Sequence, residues 1–166
     1  MNFCNLFRNI DQSKKHSFLG NASRSCKENW EKHEDSCFFW SKERLSWTDA
    51  EEFCSSQGGH LASVTSNATN EYILKKIESM PWNIGNPYQR QLWVGGFYEE
   101  KAGEWEWSDA SPWKFTNWMP NQPSNHSKQR CVKYSGPSGW KNVYCYLKIR
   151  FLCNMELQPG KISGSC

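Results

Sequence analysis

The chain is expected to fold as a single disulfide-held α+β domain, and three observations carry that expectation. Two stretches with helical spacing of apolar residues lie in its first half, several short strand-like stretches follow, and eight cysteines are spread through 166 residues. A chain of this length buries roughly two thirds of the surface its unfolded form exposes, enough for one core.

Residues 1–25 are polar, with Asn, Ser and Lys prominent, and read as an extended arm whose one strong constraint is Cys4. In "SCKENWEKHEDSCFFWSKE", Cys26 and Cys37 stand on either side of a short polar turn, with Trp30 and Phe38-Phe39-Trp40 as strand material. A stapled hairpin is the natural reading. "LSWTDAEEFCSSQGGHL" reads as a helix: Ser46 and Asp49 resemble a capping box with Asp in place of Glu, and Trp47, Ala50, Phe53 and Cys54 share one face. Gly58-Gly59 stops it. A short strand "HLASV" leads to a second helix near residues 68–79, where Ile73, Leu74 and Ile77 recur at helical spacing and Lys75 and Lys76 face water.

Beyond the break "MPWNIGNPYQRQ" the pieces are β-like: "LWVGGF", "GEWEWSD" with alternating Trp105 and Trp107, "RCVKY", "WKNVYC" and "RFLCN". Between the second and third lies a long loop containing "NWMPNQPSNH", residues 117–126, which has two prolines, three asparagines and no carboxylate. By composition alone it is a surface turn.

Composition narrows the function. Twenty Lys and Arg against seventeen Asp and Glu are scattered along the chain, which argues against nucleic acid as a partner. The cysteine density points to an oxidising compartment. No two cysteines have CxxC spacing, and His16, His33, His60 and His126 do not sit at zinc-finger offsets from any of them, so disulfides are the expected use. Sequons at Asn21, Asn67 and Asn125 fit a secreted or extracellular glycoprotein. The first twenty residues lack the apolar run of a signal peptide and no stretch is long and apolar enough for a membrane span, so a signal or anchor is taken to be missing from this chain. The sequence has no GxSxG elbow, HExxH or phosphate-cradling glycine loop, and no enzyme is expected.

Taken in order, Cys26, Trp30 and Cys37, the W-x2-A-x3-C run from Trp47 to Cys54, "GGHLASV", "LWVGG", "EWEWSDASP", "NWMPNQP", Cys131, Trp140, Cys145 and Cys153 resemble a C-type lectin-like domain over residues 26–154. The resemblance implies two helices flanking two small antiparallel sheets, with a long ligand loop, followed here by a tail, 155–166. Spacing alone leaves the cysteine connectivity open. The family pattern implies Cys26 with Cys37, Cys54 with Cys153 and Cys131 with Cys145. Cys4 and Cys166 remain, to pair with each other or to join two chains in a disulfide-linked dimer.

In sugar-binding members of that family Ca²⁺ is held by an EPN or QPD motif with a cis proline, a Glu shortly before the next cysteine, and a Trp-Asn-Asp triplet. This chain offers Gln122-Pro123-Ser124, Gln129 and Trp140-Lys141-Asn142. Every carboxylate is gone, and Lys141 brings a cation to where the metal would sit. Because Ca²⁺ prefers several anionic oxygens, no Ca²⁺ is expected at the usual sugar site, and no other metal or cofactor. Arg130 replaces the Asp expected before Cys131, and Glu99 and Glu100 read as solvated loop acids.

The function read from this resemblance is a secreted or ectodomain binding protein with altered, calcium-independent carbohydrate recognition. Trp113, Trp118 and Trp140 near the loop are candidates to stack on a sugar, with hydrogen bonds from Gln122, Gln129 and Asn142. Trp105, Trp107, Trp118 and Trp140 are also expected in the core. A calcium-independent protein-binding domain is the alternative, and ice binding, as in type II antifreeze relatives, is a third reading that Lys128, Arg130 and Lys141 weigh against.

Overall fold

The computed structural model describes residues 25–80 and 90–157. Cys4, Cys166, Asn21, the arm up to residue 24 and residues 158–166 of the tail lie outside them. The elements run β1 (Glu31–His33), β2 (Ser36–Trp40), α1 (Trp47–Ser56), β3 (His60–Leu61), α2 (Asn67–Ser79), β4 (Gln91–Glu99), β5 (Glu104–Trp107), β6 (Cys131–Ser135), a 3-10 turn at Gly136–Ser138, β7 (Trp140–Val143) and β8 (Arg150–Glu156). The last strand continues past residue 154, and the Leu157 amide donates to the Asp35 carbonyl at 2.9 Å.

Both helices begin where a side chain can satisfy a free amide. Ser46 Oγ accepts from the Asp49 amide at 3.2 Å and Ser66 Oγ from the Thr69 amide at 3.1 Å. Helix α1 buries Ala50 and Cys54, and α2 buries Asn70, Ile73 and Ile77. Lys75 is exposed as expected, but Lys76 is half-buried and pairs with Glu31 at 2.7 Å, which ties α2 to the first hairpin.

The expected antiparallel pieces are present, but they form one mixed sheet. One arm is β1-β2-β8 with β3 also on β8, and the other is β5, β4, β6 and β7. They meet where β4 runs parallel to β8, Leu92 opposite Arg150 and Trp93 opposite Phe151. Alternation along these strands divides the interior between two faces. Trp93, Cys131, Phe151 and Cys153 enter a cluster with α1, while Leu92, Val94, Val132 and Leu152 enter a second cluster with α2. Buried on both sides, β4 needs the near-continuous apolar run "LWV".

Of the tryptophans expected in the core, Trp107 and Trp140 are buried, whereas Trp105 and Trp118 are half-buried on the rim of the second cluster. Gly95 lets this packing close: a β-carbon there would lie 2.5 Å from the Leu61 carbonyl oxygen, and no side chain could move aside to admit it.

Cys26 bonds to Cys37, Cys54 to Cys153 and Cys131 to Cys145, with sequence separations of 11, 99 and 14. The loop-closure argument makes the middle bond the strongest constraint on the unfolded chain. Replacing it by Cys54→Ala with Cys153→Ala should cost about 4–5 kcal/mol in urea unfolding, against about 3 kcal/mol for the Cys131–Cys145 pair. The reverse order would show that loop length does not govern stability here.

Candidate functional site

The segment 117–126 is tethered to β7 by backbone and side chain together. Trp140 donates its amide to the Asn117 carbonyl at 2.7 Å, and the Met119 amide donates to the Trp140 carbonyl at 3.0 Å. Asn121 sits at φ +62°, a conformation asparagine tolerates, and the Gln122–Pro123 peptide bond is cis.

Asn142, fully buried on β7, organises the far end of the loop. Its Oδ1 accepts from the Ser124 amide at 2.7 Å, and its Nδ2 donates to the Ser124 and Gln129 carbonyls at 3.0 and 2.7 Å. Ser124 Oγ completes the knot by donating to Gln129 Oε1 at 2.6 Å. One side-chain amide thus holds the two ends of an irregular segment, which is why residues 124 and 129 are brought together.

Beside the knot is a hollow of about 450 Å³. Tyr98 and Trp105 supply aromatic wall, Ser124, Gln129 and Asn142 supply polar groups, and Asn125 and His126 stand at the loop side. Glu100 and Arg130 also line it and form an ion pair, which holds the Glu100 carboxyl below its usual range and the guanidinium above. Arg130 Nε donates to the Ser127 carbonyl at 2.6 Å as well. Glu100 is exposed, as expected of a solvated loop acid, but it also has a partner in Arg130. Glu99 Oε1 accepts from the Lys101 amide at 3.1 Å.

The remaining candidates lie elsewhere. Trp113 is half-buried against Trp107, ring centroids 4.4 Å apart, and is not among the residues that line the hollow. Lys141 is also absent from that lining: it stands directly across from Lys133, on the face of β7 opposite to Asn142. The cation assigned from the sequence to the metal position is therefore turned toward another lysine. Gln122 Oε1 is buried and accepts no hydrogen bond. Asn67 is the exposed first residue of α2, its Nδ2 donating to Glu71 Oε1 at 2.7 Å. The sequence reading did not single out Tyr98 or Trp105 for the hollow. The alternation of "EWEW" puts Trp105 beside Trp107, but only tertiary packing decides which of the two reaches the rim.

The donor set does not suit Ca²⁺. Gln122, Ser124, Gln129 and Asn142 offer neutral oxygens, two of them already accepting hydrogen bonds from Ser124, and the nearby acid Glu100 is neutralised by Arg130. Among the described residues no group of three or more His, Cys, Asp or Glu could hold a metal ion.

Comparison with known proteins agrees with this architecture. Residues 43–155 match the model of the lectin C-type domain. The chain is 30% identical over 138 residues to the galactose-specific lectin nattectin of Thalassophryne nattereri, covering 82% of this chain and 84% of that one. It is also 30% identical over 159 residues, 93% of its length, to C-type mannose receptor 2 of Homo sapiens, of which it spans 10%. A calcium-independent type II antifreeze protein superposes with a TM-score of 0.68 at 26% identity, covering 81% of this chain and 96% of the other.

Two outcomes follow from the local geometry. Asn142→Ala removes three hydrogen bonds from a buried site, and should cost about 2–4 kcal/mol and expose the Ser124 amide to rapid hydrogen exchange. Unchanged exchange at Ser124 would contradict the tether. Lys133 is 6% exposed, and burial, with Lys141 beside it, lowers its ammonium to about 8. Below that pH the folded chain must carry a buried cation; above it the folded form binds fewer protons than the unfolded form, so stability should rise from pH 8 to 9.5 by at most about 1.4 kcal/mol per unit. Lys133→Met should flatten that rise in a pH series of urea melts.

Proposed function

The chain belongs to the C-type lectin domain family, and on that premise we propose that it is an extracellular carbohydrate-binding domain that works without Ca²⁺ at the usual sugar site. The observation that carries this reading is the knot of Ser124, Gln129 and Asn142. Asn142 Oδ1 and Gln129 Oε1, two of the oxygens at metal-ligand positions, accept hydrogen bonds from Ser124, all the oxygens of the set are neutral, and the loop is held in shape by an amide. A loop already ordered loses little further freedom when a ligand arrives.

The hollow supplies what a sugar needs. Tyr98 and Trp105 offer ring surface to an apolar sugar face, while Gln129, Ser124 and the Glu100–Arg130 pair offer hydrogen-bonding partners to hydroxyl groups. Nattectin is a galactose-specific lectin, which makes galactose the first sugar to try. The disulfides and sequons support secretion, and Asn125, exposed at the edge of the hollow, would carry a glycan that partly screens it. Cys4 and Cys166 are left to join each other or a second chain.

A glycan array read with Ca²⁺ and with chelator tests this reading. The expected result is binding of equal strength in both conditions. Loss of binding with chelator would overturn calcium independence. An array empty in both conditions would overturn carbohydrate binding and pass the loop to a protein ligand.

A further inference from the structure

We propose that a second saccharide unit is held on a step formed by Tyr144 and Tyr146, so that the domain selects oligosaccharides over single sugars. The inference rests on the carbohydrate reading and adds to it the length of the ligand.

Tyr146 is 69% exposed, the one large hydrophobic side chain so open to solvent among the described residues. A lone exposed ring needs no explanation, so the inference rests on what surrounds it. It does not stand alone: its ring stacks on that of the half-buried Tyr144, centroids 5.3 Å apart and planes 27° from parallel, which supports one face of Tyr146 and leaves the rest of that ring to solvent. The backbone beneath is fixed, since Cys145 between the two is bonded to Cys131 and its carbonyl accepts from the Trp47 amide at 2.9 Å. The rings thus stay in place at little entropic cost to a ligand. With Thr48 and Lys128 they line a second hollow of about 620 Å³.

The two hollows lie on either side of a contact between His126 and Tyr144. His126 and Ser127 line the first, and Lys128 the second. Tyr144, on the second side, contacts His126, ring centroids 5.4 Å apart, with its hydroxyl 3.2 Å from His126 Nε2. The Lys128 amide donates to His126 Nδ1 at 3.3 Å, so a neutral imidazole carries its proton on Nε2 and donates it to the Tyr144 hydroxyl. A chain of sugar units leaving the first hollow crosses His126 and meets the tyrosine step next. The Tyr146 ring suits this role because its face accepts the C–H side of a pyranose, while the Tyr144 hydroxyl is engaged by His126. A single sugar seated at Ser124 and Gln129 stays on its own side of the loop and gains nothing from Tyr146.

The test compares the intact chain with Tyr146→Ala and Tyr146→Trp on galactose, mannose and tetrasaccharides ending in each. The intact chain should bind a tetrasaccharide about tenfold more tightly than the matching monosaccharide, a gain typical of one stacked ring. Tyr146→Ala should erase that advantage and leave monosaccharide binding unchanged, and Tyr146→Trp should keep it. Equal affinity of the intact chain for both lengths, or an advantage that survives Tyr146→Ala, overturns this inference and leaves the carbohydrate reading standing. No binding of any sugar overturns both.

Discussion

The short parallel contact between β4 and β8 is the constraint on which the other contacts rest. It involves only Leu92 with Arg150 and Trp93 with Phe151, yet it joins the arm carrying β1, β2 and β3 to the arm carrying β5, β6 and β7. Each strand sends alternate residues to opposite faces, so this seam also sets up two interiors. The α1 side receives all six bonded cysteines or packs them at its edge, whereas the α2 side is filled by Trp107, Tyr134 and Trp140. Sulfur and aromatic rings thus do similar work on the two faces: one limits the unfolded chain, the other removes large apolar area from water.

The second interior reaches the ligand loop through polar links. Asn70, buried on α2, accepts from the Tyr134 hydroxyl at 2.8 Å and from Asn117 Nδ2 at 3.1 Å. Trp140 holds the loop backbone at Asn117 and Met119, and two residues along the same strand Asn142 holds it at Ser124 and Gln129. The loop is long and irregular, but its backbone groups find partners on β7 at both ends, as buried polar groups must. A metal is one way to hold such a loop; a buried amide making three hydrogen bonds to it is another.

Most of the fold was legible in the chain because its signals are local. The cap at Ser46, the helical spacing of Ile73 and Ile77, and the apolar run in β4 depend on neighbours within a few residues. The disulfide pairing came from the ordered cysteines and their resemblance to a family, since spacing could not choose among connectivities. The candidate site was legible only in part. Ser124, Gln129 and Asn142, singled out by motif position, line the hollow, but Gln122, singled out the same way, does not, and a list of positions carries no direction: Lys141 was assigned to the metal position although it faces Lys133. Tyr98, Trp105 and Tyr146 had no motif to mark them.

The sequence by itself determined the α+β class, the family, the two helices, and the loss of carboxylates from the ligand loop, because composition and short-range order are properties of the chain. Only the tertiary structure decided that the two sheets are one, that Glu100 is neutralised by Arg130, and that Ser124 and Gln129 are bound to Asn142 instead of standing open. Those are contacts between residues up to 30 positions apart or between separate strands. Such contacts arise when chain segments pack, and nothing in their local sequence specifies the direction in which a side chain will find its partner.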